Sequence, residues 1–298
     1  MDDAAQYLIT HGCRNLARHL ASAEIYAEPM ARGGFSDIWK ARLHGQPGFF
    51  AIKCLRLHAQ GDGVAKHVKR VTREAMFWLT ASKTKHQNIL ALEGFTIFRG
   101  QLALVSRWMS NGKLTAYIAE HPGIDRWYLC EQIAVGLSYL HELGIIHGDL
   151  KGANVFVSCE GVVKLGDFGN AFDPSCYDFT TASNGGLGTT RWMAPELLGS
   201  AAHQEAEGAS PSKQTDVFAL GMTILEIVSG EIPYHECKSN VGVVMMITRG
   251  KTPLRPTQML SNTRFGDVRW ALLSQCWAMR PSDRPTATQA RGVIRSLL

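Results

Sequence analysis

The stretch that most limits how this chain can fold is Ile145-Ile146-His147-Gly148-Asp149-Leu150-Lys151-Gly152-Ala153-Asn154-Val155-Phe156-Val157. It begins and ends on apolar residues and carries a polar loop between them, the pattern of a helix running into a short strand. Upstream, Arg126, Trp127, Leu129, Ile133, Leu137 and Leu140 repeat at helical spacing over residues 125 to 143. Asp149, Lys151 and Asn154 supply an acceptor, a cation and an amide oxygen within one turn of chain. That set suits orienting or abstracting a hydroxyl proton, neutralising a phosphoryl group and holding a metal. Taken alone, the same residues could also form a polar loop that caps a buried helix.

At 298 residues the chain has the length of one large two-lobed domain. Its 45% hydrophobic and 19% charged residues are ordinary for a globular protein. A net charge of +5 allows anionic partners such as nucleotides. No basic run is dense enough to argue for nucleic acid, and Lys66 to Arg73 reads better as the solvated face of a helix. The seven cysteines form no Cys-x-x-Cys pair, which points to a reducing compartment and unpaired thiols. The acidic start Met1-Asp2-Asp3 is unlike a signal peptide, and no apolar run approaches the roughly 18 residues of a membrane span. The expectation is a soluble, cytoplasmic protein without a membrane segment.

Residues 1–23 read as an extension, with Tyr7, Leu8, Leu16 and Leu20 suggesting a short amphipathic helix that leaves the chemistry untouched. From Met30 to Lys40 a turn-rich segment has strand-like flanks, as a hairpin requires. Its small residues at 31, 33, 34 and 36 would let backbone N–H groups approach phosphate oxygens. Phe49-Phe50-Ala51-Ile52-Lys53-Cys54-Leu55 is a strand with one cation among apolar neighbours. Lys53 either points to water or faces an anion, and Glu74, toward the apolar side of the next helix, is the natural partner. In Val162-Val163-Lys164-Leu165-Gly166-Asp167-Phe168-Gly169 a strand ends in a turn that Asp167 could cap, or where it could join Asn154 at a metal. Asp216 opens a hydrophobic helix, as an N-terminal cap or as a backbone anchor.

These segments, in this order, resemble the protein kinases. Residues 147–154 resemble the catalytic loop H-R-D-L-x-x-x-x-N, with Gly148 where the family usually has Arg. Residues 31–38 resemble the glycine-rich loop, with Ala31 and Ser36 at two of its glycine positions and Ile38 at the valine. Ala51-Ile52-Lys53, Asp167-Phe168-Gly169 and Ala194-Pro195-Glu196 match V-A-I-K, D-F-G and A-P-E. The resemblance implies an α+β, bilobal fold, with a small, mostly antiparallel N-lobe sheet and one key helix over residues 24–109, and a larger helical C-lobe over 110–298. It implies Asp149 as the group that takes or orients the substrate proton, Lys151 at the γ-phosphoryl group, and Asn154 and Asp167 as Mg²⁺ ligands. Lys53 with Glu74 would position the phosphates. Ala31, Arg32, Gly33, Gly34, Phe35, Ser36, Ile38, Ala51, Ser106, Met109 and Phe156 would line the nucleotide site, Ser106 guarding the space behind adenine and Met109 making the hinge contact. Arg284 would form a structural ion pair with Glu196, and His147 and Phe168 would pack.

Thr189 beside Lys151 is the arrangement of serine/threonine-directed kinases, and the whole is similar to the tyrosine-kinase-like group. The implied activity is transfer of the γ-phosphoryl group of ATP to protein Ser/Thr hydroxyls, with Mg²⁺ as cofactor and Mn²⁺ as an alternative. ATP and protein substrates are then the partners. The rival is a pseudokinase serving as a nucleotide-binding or signalling scaffold, favoured by Ala31 and Ser36 and opposed by Lys53, Asp149, Asn154 and Asp167. Gly148 cannot pair with a phosphorylated activation segment as an Arg would, so little dependence on phosphorylation within residues 180–190 is expected.

Overall fold

The computed structural model describes residues 2–20, 23–32, 36–56, 63–174, 189–199, 210–256 and 264–298. Gly33, Gly34 and Phe35 of the expected glycine-rich loop lie outside the described residues, as do Thr180, Thr181 and Ser183. The chain divides into two compact units, Met1–Ser110 and Asn111–Leu298.

The first unit contains helices α1 (Asp2–Thr10) and α2 (Ala17–Leu20), strands β1 (Glu24–Ile25), β2 (Ala31–Arg32), β3 (Ser36–Arg42) and β4 (Phe50–Leu55), helix α3 (Val64–Ser82), and strands β5 (Leu92–Phe98) and β6 (Gln101–Arg107). The strands form one antiparallel sheet in the order β1-β3-β4-β6-β5, with β2 paired to β3. Register decides which residues share a face, because opposed residues of paired strands point the same way. Ile38 lies opposite Lys53 and Ala51 opposite Ser106, so these four share one face. The other face buries Trp39, Ile52, Cys54, Phe98, Ala103 and Val105 in a cluster that also takes in Leu16.

The short helix expected in the extension is α1, which carries Tyr7 and Leu8, while Leu16 and Leu20 lie beyond it. The chain turns at Gly12 (φ 87°), and Asn15 then forms a parallel bridge with Phe95 of β5. Long-range pairing with the sheet edge therefore outcompetes continuation of α1, and the second short helix starts only after the bridge.

The second unit contains α4 (Leu114–Glu120), α5 (Arg126–Glu142), β7 (Val155–Val157), β8 (Val163–Leu165), α6 (Pro195–Gly199), α7 (Lys213–Ser229), α8 (Asn240–Thr248), α9 (Arg264–Cys276) and α10 (Ala287–Arg295). Asp125 caps α5 by accepting from Trp127 N (2.9 Å) and Tyr128 N (3.1 Å). Helix α5 then buries Trp127, Leu129, Cys130, Ile133, Leu137 and Leu140 against α7, α10 and β8. Helix α7 is apolar all round and buried from Thr215 to Val228, as expected of a helix at the centre of a core. Ser212, not Asp216, is its N-cap, in a capping box with Thr215, and Gly230 at φ 81° ends it. Arg284 grips Glu196 through two bonds of 2.7 and 2.8 Å and also donates to Ala278 O and Gln214 O.

Burial pushes the Cys13 thiol up to about 11 and the Cys54 and Cys276 thiols up to about 12, and it raises Cys130 as well. Among the described residues, no helix is long and apolar enough to cross a membrane.

Candidate active site

In the first unit, Lys53 Nζ donates to Glu74 Oε1 at 2.7 Å. Glu74 is 1% exposed and Lys53 12%, so the sequence's isolated cation and carboxylate solve each other's burial. Lys53 reaches α3 because it stands on the sheet face shared with Ile38, Ala51 and Ser106. Ser106 is buried on that face and Met109 is half-buried just beyond β6. Ala31 and Arg32 are exposed on β2, where Arg32 pairs with Glu28 at 3.2 Å, and Ser36 is half-buried at the start of β3.

The second unit gathers the loop residues around Asp149. Lys151 Nζ donates to both carboxylate oxygens of Asp149, at 3.0 and 2.9 Å, and to Thr189 Oγ1 at 2.8 Å. Asn154 Nδ2 donates to Asp149 O at 2.8 Å and to Asp149 Oδ2 at 3.0 Å. With its two amide hydrogens so used, Asn154 presents Oδ1 as its acceptor. Gly166 N donates to Asn154 O at 3.0 Å, which ties the strand end before Asp167 to the loop. Asp167 itself sits at φ 63°, ψ 76°. A left-handed conformation costs a non-glycine residue on the order of 1–2 kcal/mol and is characteristic of sites where a side chain must be aimed. Phe156 is half-buried on β7, next to the bridge between it and Lys113.

Helix α7 fixes the backbone of this loop from below. Asp216 accepts from His147 N (2.8 Å), Gly148 N (2.9 Å) and His141 Nε2 (2.9 Å), so it is the backbone anchor. Thr223 Oγ1 spends its hydrogen on Ala219 O (2.7 Å) within α7, and Glu226 Oε2 accepts from Gly152 N (2.9 Å) and Trp192 Nε1 (3.0 Å). Burial raises the Glu226 carboxyl above its ordinary range, against the two donors, which favour the ion. His147 donates from Nε2 to Gly166 O at 3.0 Å and accepts at Nδ1 from Asp149 N at 3.3 Å. Those two partners require the neutral tautomer protonated at Nε2. The His147 ring also packs on Phe168, centroids 5.7 Å apart.

Gly148 does more than lack a charge. It adopts φ +74°, and a Cβ there would stand 2.4 Å from the Asn170 carbonyl oxygen. Any side chain at 148 must therefore move backbone.

Glu226 was not singled out from the sequence, although a lone acid inside the apolar run Met222 to Val228 is a signal that buried donors await it. Arg191 was also missed. Its guanidinium is buried and donates to Pro233 O, Tyr234 O and Cys237 O at 2.7–2.8 Å, pinning the segment after Thr189 to the chain ahead of α8.

An antiparallel sheet with a lysine–glutamate pair, joined to a helical unit that presents an Asp-x-Lys-x-x-Asn loop, is the architecture of a phosphate-transferring kinase domain. The family model "Protein tyrosine and serine/threonine kinase" matches residues 25–294, and the chain belongs to this family, with an antiparallel N-lobe sheet and a helical C-lobe. It is 30% identical over 263 residues to mitogen-activated protein kinase kinase kinase 1 of Arabidopsis thaliana, covering 87% of this chain and 40% of the relative. It is 31% identical over 211 residues to mitogen-activated protein kinase kinase kinase 4 of Mus musculus, covering 69% and 12%. It is 28% identical over 272 residues to the serine/threonine-protein kinase A-Raf of Sus scrofa, covering 89% and 42%. The chain thus spans less than half the length of these relatives.

Proposed function

We infer that this chain transfers the γ-phosphoryl group of ATP to Ser or Thr hydroxyls of proteins. The observation that carries the reading is the Asp149–Lys151–Thr189 cluster, in which one ammonium bridges a carboxylate and a hydroxyl by hydrogen bonds to both. Asp149 takes or orients the hydroxyl proton of the substrate, and Lys151 neutralises charge on the transferred group. Lys53, held by Glu74, binds the α- and β-phosphates, while the small Ala51, the buried Ser106, the half-buried Met109 and Ile38 line the adenine side. Ala31, Arg32 and Ser36 cover the phosphates.

Asn154 and Asp167 fit a hard divalent cation, since their oxygens belong to segments tied by the Gly166–Asn154 bond and Mg²⁺ takes few protein ligands besides phosphates. When bound, Mg²⁺ (or Mn²⁺) would neutralise charge on the phosphate oxygens. The names of the relatives, kinases of mitogen-activated protein kinase kinases and Raf, favour serine/threonine over tyrosine as acceptor.

Incubation with labelled ATP, Mg²⁺ and a generic protein substrate such as myelin basic protein should yield phosphoserine or phosphothreonine. Nucleotide binding without any transfer would make the chain a scaffold instead. A second expected outcome follows from Gly148. With no cation there to meet a phosphate, alanine at Thr180, Thr181 and Ser183 together should leave kcat within about threefold of the parent, a figure set by the absence of any Arg–phosphate pair to lose. Abolished turnover in that triple variant would refute it. Thr189 is left out of the set because its hydroxyl meets Lys151.

A further inference from the structure

We propose that residues 2–20, which precede the family match at 25–294, are a strap that holds α3 where Glu74 meets Lys53, with Leu8 as a positioning residue for that pair. The proposal rests on the kinase reading for its catalytic consequence, but its structural half stands on its own observations.

The strap is anchored at three places. Helix α1 packs on α3, and its single buried residue, Leu8, has no exposed surface. Next, the backbone runs along the open edge of the sheet, where Phe95 N donates to Arg14 O at 2.9 Å and Leu16 N donates to Phe95 O at 2.8 Å. Finally Leu16 enters the cluster on the sheet face opposite Lys53, and α2 is tied down by His19 Nδ1 to His44 O (2.9 Å) and His44 N to His19 O (3.1 Å). The segment therefore passes from α3, around the β5 edge, to the far side of the sheet.

Gly94 shows that the contact is built into the domain. A Cβ at position 94 would lie 2.3 Å from Arg14 O and 3.1 Å from Leu16 Cγ, so a side chain on β5 would push the strap off its edge. Covering an edge strand would need only residues 14–16. Packing α1 onto α3 goes beyond that need, and α3 has use for it. Its N-cap is Gly63, with no side-chain capping bond, no acid lies in its first turn and no base in its last. A helix with neither cap nor dipole compensation takes its position from packing. Glu74 is on that helix, so what fixes α3 fixes the carboxylate.

The test uses the full chain carrying Leu8→Ala, Leu8→Asp or Leu8→Met, with Glu74→Gln alone and combined with Leu8→Asp. Leu8→Asp is expected to lower kcat/KM for ATP on the order of 10-fold or more, as misplacement of a positioning group does. Leu8→Met should restore it. In the Glu74→Gln background Leu8→Asp should have no further effect, because both changes break one interaction. Independently of any activity, Leu8→Ala should speed amide exchange in residues 71–82 of α3 while leaving α7 protected. Multiplicative losses in the double variant, unchanged exchange in α3, or equal acceleration in α3 and α7 would each overturn the proposal. If the parent chain transfers no phosphate, the kinase reading fails, and the exchange measurement still decides whether the strap holds α3.

Discussion

Asp149→Asn lowers kcat for protein phosphorylation by about 10²–10⁴-fold, the range for losing a positioned proton acceptor, while the folded chain and its affinity for ATP change little. The carboxylate receives Lys151 on both oxygens and Asn154 Nδ2 on one of them. An amide has one oxygen to offer and puts an NH₂ where the other stood, facing the Lys151 ammonium donor-to-donor. The proton acceptor is lost and the lysine is pushed aside in the same step. Steady-state kinetics with ATP–Mg²⁺, on protein whose melting curve matches the parent, measure this directly. A variant keeping more than about a tenth of the parent kcat would remove Asp149 from the role given it by this acid–base argument.

The second large effect is on stability. Asp216→Ala is expected to destabilise the chain by about 3–5 kcal/mol, the range for stripping a buried carboxylate from its partners. Three donors lose their acceptor at once: the backbone N–H groups of His147 and Gly148 and the ring N–H of His141. All belong to buried or half-buried residues, so water does not readily replace the carboxylate. Activity should fall as well, because the two backbone groups hold the residues that lead into Asp149. Denaturant unfolding followed by tryptophan fluorescence gives the number, and a loss below about 1 kcal/mol, that of one ordinary hydrogen bond, would mean the loop is held by other means.

What could be read from the sequence divides along physical lines. Asp149, Lys151 and Asn154 were legible because their spacing is local, and the loop that carries them is held together by bonds spanning two to five residues. Lys53 and Glu74 were legible at longer range because a charge among apolar neighbours advertises the need for a partner. Asp216 was legible as an acid at a helix start, though its two readings could be separated only when Ser212 was found in the capping place. Glu226 and Arg191 depend on which helix lies beneath which loop, and periodicity says nothing about that. The same holds for Gly148, whose missing charge is visible in the sequence but whose contact with the Asn170 carbonyl is not. The N-terminal extension was legible as a short helix, but its end was not, since Asn15 bridges to a strand some eighty residues away and sets Leu16 and Leu20 apart from α1.

The deeply seated thiols give each half of the chain its own alarm. Cys54 sits within the sheet cluster, and Cys130 and Cys276 are wholly enclosed among the helices, all held protonated by their surroundings. A thiolate-seeking reagent at neutral pH finds them inert until that half comes apart. The rate at which Cys54 reacts thus times the breathing of the sheet, and the rates at Cys130 and Cys276 time that of the helical bundle, without a single added label.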